Sequence, residues 1–334
     1  MVCREGVLAG RCRNCRRLRS GQGIRGNAPE SPGVLQRTAA GVTMWIYLND
    51  RFVREEEAVI SVFDHGFLYG DGVYETIRSY GRRIFMPDQH LVRLRRSADA
   101  IGLTIPIPAH KWPALLHEAM TRNDVGHEHT DAYLRITISR GAGDIGLDPA
   151  LCPTPTVVVM AKPLRPPSPE QYRHGVSLIV AQTRRNLPSA LSPQIKATNF
   201  LNNILAKREA IAAGAFDSIL LNWESHLTEC TVSNLFFVRA GRLCTPALAC
   251  GLLDGITRGI VLGLAQELKI PIDEGHFGVQ EVYSADECFL TNTSMEVMPV
   301  TMVDGHPIGK GAPGLLTLQI HSLFRANRTH FLEP

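Results

Sequence analysis

An α+β chain of two domains is what the sequence predicts, on three observations. A chain of 334 residues leaves room for two sizeable cores. From Met44 onward, short runs rich in β-branched and aromatic residues alternate with runs whose apolar residues recur at helical spacing. Near the middle, Pro163-Leu-Arg-Pro-Pro-Ser-Pro169 interrupts that alternation and reads as a stiff linker. The expected division is a small α/β unit over 44–162, a linker over 163–172 and a larger unit over 173–334.

In the first unit, Trp45 to Val53 reads as strand with a turn at Asn49-Asp50, and Val59 to Val62 as a further strand. Val73 to Tyr80 alternates well enough for a strand, and Gly81-Arg82 turns it into Arg83-Ile-Phe85. Leu91, Leu94, Ala98 and Ile101 mark an amphipathic helix over Gln89–Ile101, and Trp112 to Thr121 is expected as a second. Strands at Asp131–Ser139 and Thr156–Ala161 flank the loop Arg140–Pro149. In the second unit, a strand over 176–182 leads through a proline-broken loop to a helix over 200–213. Strands follow at Ser218–Asn222, Leu235–Arg239 and Arg242–Cys244, a helix at Gly259–Leu268 and a strand at Glu287–Thr291.

Residues 1–43 are rich in Gly, Arg and Ser without apolar periodicity, and read as disordered. Met44 looks like a natural start, so the extension reads as non-native. An Arg-rich transit peptide and a zinc knuckle on Cys12 and Cys15 are the other readings. The extension holds eight arginines against Glu5 and Glu30, so of the net charge of +3 it carries +6 and the rest of the chain −3. That mildly acidic remainder gives no reason to expect a nucleic acid partner. No apolar run reaches membrane-spanning length. The eight cysteines are too scattered for a disulfide scaffold, and a cytoplasmic location is expected.

Lys196 stands between the strand at 176–182 and the helix at 200–213. A lysine partly buried there loses hydration of its ammonium form, so its pKa falls, and a neutral amine can attack a carbonyl. The segment Leu252-Leu-Asp-Gly-Ile256-Thr257-Arg258 opens a helix whose first amides, next to a bare glycine, suit a phosphate. Thr293 and Ser294, after a strand, offer further donors, and Arg93 could grip an anion with two nitrogens. Glu229 enters a strand between apolar runs and calls for a partner, for which a protonated ring nitrogen would serve.

Seven segments in this order resemble the class IV aminotransferases, the pyridoxal-phosphate enzymes of fold type IV, over Met44 to about Leu318. They are Asp64–Arg78, His90–Leu94, Arg140–Pro149, Lys196-x-x-Asn199, Glu229 with Asn234-Leu-Phe, Gly255-Ile-Thr-Arg258 and Glu296–Val300. The resemblance implies a larger C-terminal domain with a barrel-like sheet and helices, and a homodimer or higher homo-oligomer. It implies that Lys196 forms the Schiff base with pyridoxal 5'-phosphate and relays the Cα proton, and that Glu229 pairs with the ring nitrogen. Arg93, Ile256, Thr257 and Thr293 would hold the phosphate. Tyr69, Tyr74, Thr76, Arg78, Arg135 and Ser294 would line the substrate pocket, some of them across a subunit interface.

The implied reaction moves an amino group from an amino acid, branched-chain by the Gly143–Asp148 loop and Glu296-Val-Met-Pro299, to 2-oxoglutarate. Thr228-Glu-Cys230 and Thr76 look more like aminodeoxychorismate lyase, which shares the cofactor. Phe200 stands where many branched-chain enzymes have tyrosine, and the 140–149 loop lacks the Arg-x-His pair of the D-amino-acid type. An (R)-amine transaminase and a catalytically silent relative complete the alternatives.

Overall fold

The computed structural model describes residues 43–127 and 130–333. The expectations for the stretch ending at residue 42, Cys12 and Cys15 included, lie outside them.

The first half of the chain builds a six-stranded sheet from β1 (Trp45–Leu48), β2 (Arg51–Arg54), β3 (Gly72–Tyr80), β4 (Arg83–Ile84), β5 (Ala132–Ser139) and β6 (Thr156–Pro163). Their order is β2-β1-β6-β5-β3-β4, and every pairing is antiparallel. Helices α1 (His65–Tyr69), α2 (Pro87–Ala100) and α3 (Trp112–Arg122) lie in the connections. The sequence explains why α2 and α3 cover one face. Ala132, Leu134, Ile136 and Ile138 alternate along β5 and Val157, Val159 and Ala161 along β6, all wholly buried against Leu94, Ala98, Trp112 and Leu116. Burying each large one of these contributes about 1.5–3 kcal/mol.

The same period of two sends Tyr74, Thr76, Arg78 and Tyr80 of β3 to the opposite face. There the Tyr80 hydroxyl donates to Glu296 at 2.8 Å and Arg78 pairs with the same carboxylate at 3.0 Å, which ties this face to the second half of the chain. Expected strand Val59–Val62 is not one. Val59 is 74% exposed, among the described residues no strand pairs with the segment, and without a neighbour its backbone groups gain nothing from extension.

The second half forms a nine-stranded sheet from β7 (Val176–Val180), β8 (Asp217–Leu221), β9 (Leu227–Cys230), β10 (Asn234–Arg239), β11 (Arg242–Pro246), β12 (Ile272–Gly275), β13 (Glu287–Asn292), β14 (Glu296–Val303) and β15 (His306–Pro307). Six of them close on themselves, β10-β13-β14-β7-β8-β9, because Asn234 of β10 pairs with Glu229 of β9. Strand β10 is buried on both faces. Leu235 and Phe237 pack with one cluster, Phe236 and Val238 with another beneath α6 (Ile256–Glu267) and α8 (Leu315–Asn327). An uninterrupted apolar run is what such a strand requires.

Helices α4 (Pro169–His174), α5 (Leu201–Ala212) and α7 (Val279–Tyr283) complete the fold. Ser168 caps α4 inside the stretch expected as plain linker, its hydroxyl accepting from the Gln171 amide. Among the described residues no helix is long and apolar enough to cross a membrane.

Candidate active site

Lys196 sits where the two sheets meet, in the crossover from β7 to α5. Its carbonyl accepts from the Tyr74 amide at 3.0 Å and its own amide donates to Ser97 Oγ at 3.1 Å. Thr198 donates to Gly72 at 2.9 Å, so the lysine loop runs as a short bridge beside β3 of the other sheet. The ammonium nitrogen lies 3.4 Å from the Tyr74 hydroxyl and 4.5 Å from the ring centre. Burial, with the Arg93 guanidinium next in weight, pushes its pKa down to about 8, against the opposing pull of Glu75 and Glu229. Burial also raises the Tyr74 phenol well above its ordinary value, so the hydroxyl stays neutral.

One wall of the same cavity is the start of α6. Gly255, Ile256 and Thr257 line it, and Gly255 caps the helix without a side chain. A Cβ there would fall 1.9 Å from Asn234 Oδ1, so any larger residue would displace that side chain. The leading amides of this 12-residue helix thus face the cavity with the positive end of the helix dipole. Arg93 reaches this end from α2. Its Nη1 donates to the Asp254 carbonyl at 3.0 Å, while Nε and Nη2 grip both oxygens of Glu75 at 2.7 and 2.9 Å. Glu75 has no exposed surface and takes a third bond from His90 at 2.8 Å. Burial alone would push the Glu75 carboxyl up. Arg93 and His90 outweigh it and hold the group far below the usual carboxylate range. His90 is itself kept neutral by burial, so Nδ1–H is the donor, and among the described residues Nε2 has no partner.

At the other end of the cavity stands Glu229, at the strand pair that closes the barrel. One oxygen pairs with Arg185 at 2.7 Å and the other accepts from the Leu253 amide at 3.1 Å. Here burial wins, and the carboxyl is pushed above its ordinary value despite Arg185.

Lys196, Arg93, Glu229, Ile256, Thr257, Thr293 and Tyr74 therefore line a single cavity. Five other expected residues stand off it. Arg135 stacks on Tyr74, 4.1 Å from the ring centre, and Thr76 meets the Tyr133 hydroxyl at 3.3 Å, on the same face of the sheet. The Ser294 amide donates to Asn292 at 2.9 Å. Arg78 is committed to Asp131 at 2.8 Å and to Glu296 at 3.0 Å. Tyr69 is 40% exposed, its hydroxyl taking a bond from the Gly146 amide at 3.3 Å. The sequence motifs did not single out Arg185, which has none around it, or Glu75, which lies within Asp64–Arg78 three residues before Arg78. The period of β3, which puts Glu75 on the α2 face, was the signal for the latter.

The cavity fits pyridoxal 5'-phosphate. Among the described residues, Thr257 Oγ1, Ser233 Oγ and Thr291 Oγ1 are buried without a protein partner, and all three residues line the cavity. A buried hydroxyl left unpaired costs about 1–3 kcal/mol, so the walls are made for a polar ligand. Helix α6 and Thr257 answer a phosphate, Lys196 an aldehyde and Glu229 a basic ring nitrogen.

The family model of amino-transferase class IV matches residues 72–303. A protein of Methanocaldococcus jannaschii provisionally assigned as a branched-chain-amino-acid aminotransferase is 39% identical over 286 residues, covering 86% of this chain and 97% of the relative. The aminodeoxychorismate lyase of Bacillus subtilis is 33% identical over 259 residues, covering 78% and 86%, and a D-alanine aminotransferase of Listeria innocua 34% over 281, covering 84% and 95%. Among solved structures, a T.th. branched-chain amino acid aminotransferase with pyridoxamine 5'-phosphate superposes with a TM-score of 0.82 at 31% identity, covering 87% of this chain and 98% of the other.

Proposed function

This chain belongs to the amino-transferase class IV family of pyridoxal-phosphate enzymes, and from that premise we propose that it transfers the amino group of a branched-chain amino acid to 2-oxoglutarate. The observation that carries the reading is the meeting of a lysine whose pKa falls to about 8, a buried glutamate and the start of α6 on one cavity.

Bound there, pyridoxal 5'-phosphate supplies an electron sink for the negative charge that develops at the substrate Cα. The chain's own residues do the rest. Arg93, Thr257, Thr293 and the Ile256 and Thr257 amides hold the phosphate. Glu229 accepts the ring nitrogen's proton in a hydrogen bond. Lys196 binds the aldehyde and, as a free amine, moves the proton at Cα. Tyr74 keeps its hydroxyl beside that amine, while Phe200 and Val232 give the cavity apolar wall for a branched side chain. Tyr69, Thr76, Arg78, Arg135 and Ser294 are assigned to the substrate pocket, some of them across a subunit interface.

We propose that the chain acts as a homodimer or higher homo-oligomer in the cytoplasm, with units at 44–162 and 173–334 on either side of the cavity. Exposed Val59, Phe67, Ile145 and Leu147, the last 84% exposed, supply apolar surface for a second copy.

A second reading, aminodeoxychorismate lyase, is favoured by Thr228-Glu-Cys230, by Thr76 and by the Bacillus relative. Incubation of the enzyme with L-leucine and 2-oxoglutarate separates the two. Glutamate formed in proportion to enzyme is the expected result. No glutamate, with 4-aminobenzoate released from aminodeoxychorismate, overturns it in favour of the lyase. Glutamate from D-alanine alone overturns it in favour of the D-amino-acid reaction.

A further inference from the structure

Arg185 follows β7, in a stretch that no motif marks, and its side chain is 9% exposed at the cavity edge. Three acceptors aim it. Nη2 meets Glu229 at 2.7 Å, and Nη1 donates to Asn203 at 3.1 Å and Asn202 at 3.3 Å, both in the first turn of α5. Asn203 is fixed in turn, its Nδ2 donating to the Thr231 carbonyl at 2.6 Å, and the Thr231 hydroxyl donates to buried Asp217 at 2.6 Å. The guanidinium is thus held from behind by groups that do not themselves touch Glu229. A second cation facing Glu229 is Lys196, which lines the same cavity.

We propose that Arg185 is a positioning residue for the cofactor, keeping Glu229 ionised and turned so that its free lone pair takes the ring N–H. This rests on the reading of Glu229 as the partner of the ring nitrogen. A carboxylate in so buried a place, left with one backbone N–H, takes up a proton and then donates to the ring nitrogen instead of charging it. The nitrogen loses its positive charge, and with it the pull on the Cα electrons.

The test is 15N NMR of the ring nitrogen in enzyme loaded with 15N-labelled pyridoxal 5'-phosphate, from pH 6 to 10, beside cofactor affinity by titration. Wild type and Arg185→Lys are expected to keep the nitrogen protonated. In Arg185→Met the proton is expected to leave about one pH unit or more lower, with cofactor affinity down about tenfold. Arg185→Gln, which keeps a polar head for Asn202 and Asn203, replaces the methionine variant if that fails to fold, with the same expectation. A nitrogen that responds to Glu229→Gln but titrates as wild type in Arg185→Met or Arg185→Gln overturns the proposal alone, leaving Arg185 a structural residue. A nitrogen already neutral in wild type and unmoved by Glu229→Gln overturns the reading of Glu229 and the proposal with it.

Discussion

Two buried arginine–carboxylate pairs stand at opposite ends of one cavity, and they are built in reverse. At the α6 end, Arg93 lines the cavity and Glu75 is sealed behind it, both oxygens gripped by the guanidinium and one shared with His90. At the other end Glu229 lines the cavity, with a single arginine nitrogen and a single backbone amide as partners. Burial is severe at both, yet the Glu75 carboxyl is held far below its ordinary range and the Glu229 carboxyl is pushed above it. The difference is the number of partners that favour the charged form. Glu75 is satisfied and serves as a fixed support. Glu229 is short of one positive partner, which suits the role proposed for it, that of receiving a cationic ring.

The largest effect falls on the group between the two pairs. Lys196→Ala is expected to leave the fold intact and to lower turnover by about ten-thousand-fold or more, since among the described residues no other amine lines the cavity. Circular dichroism and a steady-state assay check it, and appreciable transamination by the mutant would remove Lys196 from its role. The contrast between the pairs is sharpened by two single changes. Glu75→Gln leaves the Arg93 charge buried without its counter-ion and is expected to cost about 3–5 kcal/mol of unfolding free energy in urea. Glu229→Gln is expected to cost clearly less stability, because that end opens on the cavity, and to cost more in turnover. Equal losses of stability would mean that both carboxylates are supports.

Much of this was legible in the sequence where one physical rule governed a stretch. The alternation from Val73 to Tyr80 announced a strand, and the bare Gly255 before Ile256 announced a helix start. The segment Val59–Val62 misled because apolar composition does not say whether a partner strand exists; its side chains remain exposed. For Arg78, the sequence does not show its pairing with Asp131 and Glu296, which lie 53 and 218 residues away. Arg185 was unreadable for the same reason. Its meaning depends on Asn203 and Glu229, and contacts of that kind are set by tertiary packing alone.

The lysine's own titration is the next effect in size. Its pKa falls from 10.5 to about 8 through burial first and Arg93 second. The folded protein therefore binds fewer protons than the unfolded one between those two values. Stability of the cofactor-free chain is expected to rise as pH goes from about 8 to 10.5, the reverse of a lysine that has gained a counter-ion. Capture of added pyridoxal 5'-phosphate, trapped by borohydride and mapped to Lys196 by mass, is expected to increase with pH around a midpoint near 8. A midpoint near 10.5 would place the amine in water and dissolve the link between the two ends of the cavity.

The smallest effect belongs to the wall between the pairs. Phe200 meets Tyr74 edge to face, with ring centres 5.6 Å apart, and Tyr74 in turn lies under Arg135 and beside the lysine amine. An edge-to-face contact of this kind contributes about 0.5–1.5 kcal/mol beyond the area it buries. Phe200→Ala is therefore expected to raise KM for a branched-chain substrate by less than about tenfold and to leave kcat nearly unchanged, since the ring has no polar atom to offer the cofactor or the reacting bonds. Phe200→Tyr adds a hydroxyl and keeps the contact, and is expected to leave KM close to wild type. If Phe200→Ala instead lowered kcat as far as Glu229→Gln does, Tyr74 would owe its place to this ring, and catalytic geometry would rest on the apolar wall as much as on the two ion pairs.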